Sequence, residues 1–277
     1  RMRWTDLIDV LNQQGAAMSD PAERIEKFLQ IGELWETRLQ SPDRAIDAFR
    51  EALGIDENCV EAMDCLERLY QQQERWIELL DTYELKLGIL SESAAQVDVY
   101  RRIASVQENN LNDVYSAVDT FRKLMSLDAG DRESMSALQR LYTDAERWDE
   151  LAESYELHLG GVDDAETVLG IRTALGDLFS GPLNDANRAI ECLGPILDSV
   201  ADHVPTLKKL GDLYRANEDW RNCIDMLSRE VHQISDHEEL LQKQFQVGRI
   251  YLDNVGDLEQ AERWFKGALD HNKNYMP

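Results

Sequence analysis

The feature that most constrains this chain is a repeat with a period of 72 residues. The segment QERWIELLDTYELKL begins at Gln73, and the nearly identical segment AERWDELAESYELHL begins 72 residues later at Ala145. Other residue types recur at the same step, in columns that run without a gap: Trp4, Trp76, Trp148 and Trp220; Gly32, Ala104, Gly176 and Gly248; Ala45, Ala117, Ala189 and Ala261; Phe49, Phe121, Leu193 and Phe265. Such a period indicates a repeat architecture, in which stacked units bury a shared core.

Each 72-residue unit contains four segments with helical patterning. In the second segment of the first full unit, AIDAFREAL at 45–53, the apolar residues fall at i, i+1, i+4, i+7 and i+8, which is one face of a helix. No segment alternates with a period of two, so strands are not expected. N-cap residues are predicted before the second helix of each unit, at Ser41, Asp113, Asp185 and Asp257. Ser235 and Glu238 fit a capping box before a later helix.

The two halves of each unit also resemble each other, so the elementary repeat is a helical hairpin of about 34–37 residues. Its residues resemble the tetratricopeptide repeat (TPR), whose first helix carries Leu-Gly followed by Tyr and whose second carries Ala, Phe and Ala. The matching residues are Leu210, Gly211 and Tyr214 for the first helix, and Ala45, Phe49, Ala52, Ala261, Phe265 and Ala268 for the second. The proline that is common after the second helix in this family is absent.

The resemblance implies an all-α fold, a right-handed α-α superhelix (a TPR-like solenoid) of about seven helical hairpins. The small-residue columns would let paired helices approach closely, and the tryptophan column would fill the space between hairpins. We predict a single solenoid over 1–277, with units 1–20 (partial), 21–92, 93–164, 165–236 and 237–277 (partial). Trp4 falls in a fourth helix, and Pro277 is in register with Pro205, so we expect a piece of a longer array.

The charge balance excludes whole classes of partner. Lys plus Arg is 29 and Asp plus Glu is 54, which gives a net charge of −25. Nucleic-acid binding depends on basic residues that displace counterions, so we predict no nucleic-acid partner, and an array of the related RNA-processing type is disfavoured. The same charge can steer a basic partner. No apolar run approaches the ~18–20 residues that cross a bilayer, so we predict no membrane insertion and favour a cytoplasmic location, although the compartment is unknown.

Nothing in the sequence points to catalysis. The chain lacks GxSxG, HExxH, GxGxxG and the phosphate-binding GxxxxGK[ST] pattern. Its four cysteines and five histidines do not form a zinc-ligand pattern. We therefore predict that the protein is not an enzyme and has no catalytic residues, cofactor or metal.

Arrays of the TPR family typically bind peptides or protein surfaces on a concave face formed by the first helix of each hairpin. Carried onto this sequence, the resemblance gives six candidate binding residues: Arg68, Arg101, Arg140, Lys208, Phe245 and Arg249. Phe245 and Trp264 are singled out because their columns otherwise hold small, polar or aliphatic residues, which favours exposed aromatic contacts.

Three hypotheses for function follow. The first is a non-catalytic scaffold that binds a protein or peptide, basic partners being favoured by charge, or another part of its own longer chain. The second is a regulatory or targeting domain of an enzyme whose catalytic part lies outside these residues. The third is a structural or self-assembling repeat array.

Overall fold

The computed structural model describes residues 2–271, and all regular structure within that range is helical. The α-helices are α1 (Met2–Ala17), α2 (Pro21–Thr37), α3 (Pro42–Ile55), α4 (Val60–Gln72), α5 (Trp76–Ile89), α6 (Ser93–Ser105), α7 (Val114–Leu127), α8 (Arg132–Asp144), α9 (Trp148–Leu159), α10 (Ala165–Ser180), α11 (Ala186–Ser199), α12 (Val204–Ala216), α13 (Trp220–Val231), α14 (His237–Ile250) and α15 (Leu258–His271). Two π-helical segments, Val106–Asn110 and Tyr251–Val255, extend α6 and α14.

The helices form consecutive hairpins, as predicted. Consecutive helices pair in chain order, and the most extensive contacts are within pairs such as α2/α3 and α12/α13; the other paired helices are α4/α5, α6/α7, α10/α11 and α14/α15. The predicted all-α, TPR-like fold is therefore confirmed. Pro277, whose register suggested a longer array, lies outside the described residues.

The helix caps follow the repeat, with two exceptions. The side chains of Asp113 and Asp185 accept from backbone N–H groups in the first turns of α7 and α11, and Asp257 accepts from the N–H of Gln260 at 3.0 Å. Ser41 makes no such bond, and Pro42 begins α3 instead, where a missing N–H costs nothing. The predicted capping box at Ser235 was wrong by one residue.

The carboxylate of Asp236, and not Ser235, caps α14 by accepting from the N–H of Glu239 at 2.8 Å. Asp accepts as well as Ser at this position, and it carries a negative charge that the helix N-terminus favours. The sequence pattern alone did not separate the two neighbours.

The chain divides into two compact units, Arg1–Leu141 and Tyr142–Pro277, with the division inside α8. The first has a continuous core that includes Phe49, Leu66 and Tyr83. The second has clusters around Leu207 and Val247. The boundaries predicted for the 72-residue repeats remain predictions. The two compact units are defined by packing, and their division does not follow the repeat.

The small-residue column acts as predicted. A Cβ atom added to Gly32 would lie 2.5 Å from Cε1 of Phe49, and one added to Gly248 would lie 2.6 Å from Cε1 of Phe265. Each glycine therefore lets an aromatic ring of the second helix lie directly on the backbone of the first. At these two positions the glycine of the first helix and the aromatic residue of the second helix form the same contact.

The tryptophan column is less buried than its predicted role requires. Trp76, Trp148 and Trp220 begin α5, α9 and α13 and are half-buried, while Trp4 is 38% exposed. Trp76 and Trp220 still pack against core clusters, so they contribute at the core edge and do not fill it.

Candidate interaction surface

Three adjoining cavities in the first unit form a groove along α4. The cavity between α2 and α4 has a volume of about 660 Å³, the one between α4 and α6 about 500 Å³, and a third beside α6 about 460 Å³. Asp64 and Arg68 line both of the first two, and Glu67, Gln71, Tyr83 and Arg102 line both of the last two. We call these three cavities together the α4 groove.

The side chains that line the groove come from one face of α4. Asp64, Glu67, Arg68 and Gln71 are separated by three, four and seven positions, so they project on the same side of the helix. The apolar residues Ala62, Met63, Leu66, Leu69 and Tyr70 occupy the other faces and are buried in the core. The amphipathic pattern of α4 thus separates a packed face from a charged face.

Glu67 is the centre of a charged network in the α4 groove. Its carboxylate accepts from Lys86 of α5 and from Arg102 of α6, and from the hydroxyl of Tyr83 at 3.3 Å. Lys86 also donates to Asp64, with 2.7 Å between Nζ and Oδ1. Glu67 was not predicted as a site residue, since a single Glu on a helix gives no sequence signal of partners 19 and 35 residues away.

Burial and charge shift the pKa values of two groups beside the α4 groove. Burial, together with the negative charge of Glu67, raises the pKa of Tyr83 to about 12. Burial also raises the pKa of the Cys65 thiol, and the carboxylates of Asp64, Glu33 and Glu61 add to the shift. Burial is the larger cause of both shifts, and the nearby carboxylates add to it.

Two of the predicted arginines make the same contact at equivalent positions. Arg68 pairs with Glu36 of α2, with 2.7 Å between Nη2 and Oε2, and Arg140 pairs with Glu108, 72 residues further along. Arg68 lines the α4 groove, whereas Arg140 lines none of its cavities. The column of acidic residues 32 positions before each arginine was available in the sequence and was missed.

Arg101 lines the third cavity and pairs with Asp131. Asp131 is 5% exposed and also accepts from the N–H of Ser134 at 3.0 Å. Burial alone would raise the pKa of Asp131, but the hydrogen bonds from Ser134 and Arg101 outweigh it, so the pKa lies below its usual value. The same hydrogen bond raises the pKa of Arg101.

The other three predicted residues lie in the second unit. Lys208 Nζ lies 3.4 Å from Glu239 Oε1 and 3.7 Å from Glu230 Oε1. Arg249 donates to Asp253 at 2.7 Å. Phe245 is half-buried, with its ring centroid 5.2 Å from that of Phe265. None of the three lines the α4 groove, so the six predicted residues do not form one cavity.

The aromatic residue Trp264 is not the exposed contact that its column suggested. It is half-buried and packs against the cluster formed by Cys223, Ile224, Leu227, Val247 and Ile250. Its neighbours are therefore residues of the preceding helices, and the large ring fills space at that contact.

Equivalent positions in the two units carry an ion pair of reversed polarity. Asp64 and Lys86 pair in the first unit, and the residues 144 positions later, Lys208 and Glu230, pair in the second. Glu230 is fully buried and is also held by Lys243, with 2.9 Å between Nζ and Oε2. The pairing is kept while the signs are exchanged, with 2.7 Å between the charged atoms in the first unit and 3.7 Å in the second.

The described part of the chain has neither a metal-binding cluster nor a helix suited to span a membrane. Residues 2–271 contain no group of three or more His, Cys, Asp and Glu side chains placed to hold a metal ion. Within the same range, no helix combines the length and apolar character that crossing a membrane requires.

Comparison with known proteins gives a family match for one segment. The sequence model of the tetratricopeptide repeat family matches residues 134–169, which confirms the resemblance predicted from the sequence. No curated protein matches the chain.

Several solved structures with a similar arrangement are distant in sequence. MamA is 19% identical, over 60% of this chain and 93% of its own, with a TM-score of 0.39. PilF of Pseudomonas aeruginosa is 12% identical, over 92% of this chain and 95% of its own, with a TM-score of 0.37. YrrB, described as a TPR protein with an unusual peptide-binding site, is 17% identical, over 66% and 89%, with a TM-score of 0.34.

Proposed function

We propose that this protein is a non-catalytic scaffold that binds a protein or peptide in the α4 groove. The observation that carries the proposal is the continuity of the groove, whose three cavities share lining residues along one helix face. Ligand pockets in proteins typically measure ~300–1,000 Å³, and each of the three cavities falls in that range. Together they offer an elongated surface that suits an extended chain better than a compact small molecule.

The side chains of the groove support binding and not chemistry. Lys86, Glu67 and Arg102 are committed to one another in ion pairs, so none is left as a poised acid or base. Because these ion pairs are already formed, they orient a partner's polar groups at little entropic cost. The TPR family generally serves as protein-interaction scaffolds, which agrees with this reading.

The test is affinity capture from the source lysate with the whole chain as bait. The groove variant carries Glu33→Lys and Asp98→Lys, two exposed acids that line the α4 groove. The control variant carries Asp47→Lys and Asp119→Lys, exposed acids 72 residues apart on α3 and α7, so both variants change the net charge equally.

A partner that is retained by the control variant and lost by the groove variant is the expected result. Cross-linking followed by mass spectrometry should then place that partner beside α2, α4 and α6. A partner that both variants retain, cross-linked elsewhere, would refute the α4 groove as the binding surface.

A further inference from the structure

We propose that the cavity between α2 and α4 receives an arginine or lysine side chain from a basic segment of the partner. This inference rests on the proposed function and adds the chemistry of the bound segment. The apolar floor of the cavity, the charges on its rim and the contrast with the neighbouring cavity support it.

The floor of the cavity is apolar. Leu29 of α2 and Cys65 of α4 are half-buried, and Phe49 of the core lines the same cavity. Long basic side chains bury their methylene stems on apolar surface while the charged end stays at a polar rim. An apolar floor beneath charged walls therefore suits an arginine or lysine side chain.

The rim of the cavity carries a surplus of negative charge. It has one cation, Arg68, and five carboxylates, so the sum of formal charges is 1 − 5 = −4; the acids are Glu26, Glu33, Glu36, Glu61 and Asp64. Arg68 pairs with Glu36, and Lys86 pairs with Asp64. Among residues 2–271, no cation pairs with the exposed carboxylates of Glu33 or Glu61.

The neighbouring cavity between α4 and α6 shows that this surplus is local. Its charged lining residues balance at three carboxylates and three cations: Asp64, Glu67, Asp98, Arg68, Lys86 and Arg102. A basic segment that lay along the whole α4 groove would therefore gain most at the α2/α4 end. The net charge of −25 favours its approach from a distance, and the rim selects where its side chain docks.

Cys65 provides a reporter inside the cavity. Its thiol lies on the floor, and burial and the carboxylates of Asp64, Glu33 and Glu61 raise its pKa. A negative field of this kind attracts a cationic thiol reagent and repels an anionic one, which makes the field measurable without any partner.

The first experiment measures binding of a short, end-blocked, fluorescent peptide of alternating Arg and Leu to the whole chain by anisotropy at low salt. Its comparison peptide alternates Glu and Leu. The cavity variant carries Glu33→Gln and Glu61→Gln, and the control variant carries Glu51→Gln and Glu84→Gln, exposed acids on α3 and α5. We expect the cavity variant to bind the Arg-Leu peptide about five- to tenfold more weakly, while the control variant changes little.

The second experiment uses the thiol in a chain that keeps Cys65 and carries Cys59→Ser, Cys192→Ser and Cys223→Ala. Cystamine, which is cationic, should modify Cys65 faster than the anionic reagent dithiobis(nitrobenzoate), relative to their rates with free cysteine. The ratio of the cystamine rate to the dithiobis(nitrobenzoate) rate should fall when the chain also carries Glu33→Gln and Glu61→Gln. Bound Arg-Leu peptide should slow the modification of the Cys65 thiol by either reagent.

Equal affinities in the cavity and control variants, or no protection of Cys65, would overturn the assignment of the cavity to a basic side chain. The lysate capture keeps that outcome separate from the broader proposal. A partner that depends on the α4 groove but not on Glu33 and Glu61 would leave the scaffold function standing and refute only the basic anchor.

Discussion

At the scale of single residues, the contact between Gly32 and Phe49 gives the clearest prediction. Gly32→Ala would place a methyl group 2.5 Å from the buried ring, so the helices must separate or the ring must move. We expect a loss of about 1–3 kcal/mol in the free energy of unfolding, measured by urea denaturation.

The control for that change is Gly211→Ala. At Gly211 the nearest atom to an added Cβ, Cβ of Met226, is 3.6 Å away, which is an ordinary contact. The better helix propensity of alanine should therefore leave stability unchanged or raise it by up to ~1 kcal/mol. Equal losses at the two positions would show that the close approach to Phe49 is not what requires glycine.

A second prediction at this scale concerns alkaline pH and Tyr83. The phenol keeps its proton to about pH 12 in the folded chain, whereas an unfolded tyrosine loses it near the ordinary value of 10.0. Because the folded pKa is raised, the stabilisation is complete below pH 10 and is lost as the pH rises toward 12. Urea midpoints of the wild type should fall more steeply over that range than those of Tyr83→Phe. Parallel pH profiles would contradict the assigned shift.

At the scale of elements, the turns within hairpins share an unusual backbone conformation. Positive φ angles occur in two columns with the 72-residue step: Gln40, Asn112, Asn184 and Gly256; and Glu74, Glu146 and Glu218. Only Gly256 is a glycine, so the other six positions adopt a left-handed conformation that L-residues adopt at a cost of ~1–2 kcal/mol. After Glu74 and Glu218, the next N–H bonds back to a helix carbonyl, from Arg75 to Tyr70 and from Asp219 to Tyr214 at 2.9 Å, and these helix-ending hydrogen bonds accompany the left-handed conformation.

This strain predicts opposite effects at two turns. Glu218→Gly should raise stability by about 0.5–1 kcal/mol, because the relieved strain exceeds the greater freedom of glycine in the unfolded chain. Gly256→Ala should lower it by about 1–2 kcal/mol, since φ there is 76°. Thermal midpoints measure both, and a stabilising Gly256→Ala would show that the turn relaxes freely.

The helices could be predicted well from the sequence, because the same helical spacing of apolar residues recurs in each unit. The columns placed the hairpins, and Asp113 and Asp185 cap the helices they were expected to cap. The π-helical turns at Val106–Asn110 and Tyr251–Val255 were not predicted, since a fifth-residue hydrogen bond leaves no mark on apolar spacing.

At the scale of the whole molecule, charge should set the response to salt. Even if every one of the 29 basic side chains were paired, 25 of the 54 acids would remain. Screening of their mutual repulsion should therefore outweigh the weakening of exposed ion pairs. We expect the urea midpoint to rise as sodium chloride is added to a low-salt buffer. A falling midpoint would mean that the ion pairs dominate.

The candidate site was less predictable from the sequence than the fold was. Arg68 and Arg101 were predicted from the resemblance to the repeat family and line cavities of the α4 groove, but the carboxylates that form the rim are common residues with no such signal. Which of them remain without a cation depends on side-chain contacts between helices, such as that of Glu36 with Arg68. A periodic pattern identifies the face of a helix and does not identify its ion-pair partners.

The reversed ion pairs bear on how a chain of similar repeats avoids mistakes while folding. Tandem repeats in one chain can misassemble by exchanging equivalent helices. If α4 docked on α13 in place of α5, Asp64 would meet the anion Glu230, and if α12 docked on α5, Lys208 would meet the cation Lys86. Like charges at these partly exposed contacts are unfavourable, so in these two hairpins the ion pair favours docking of the first helix on its own second helix over the equivalent helix of the other hairpin.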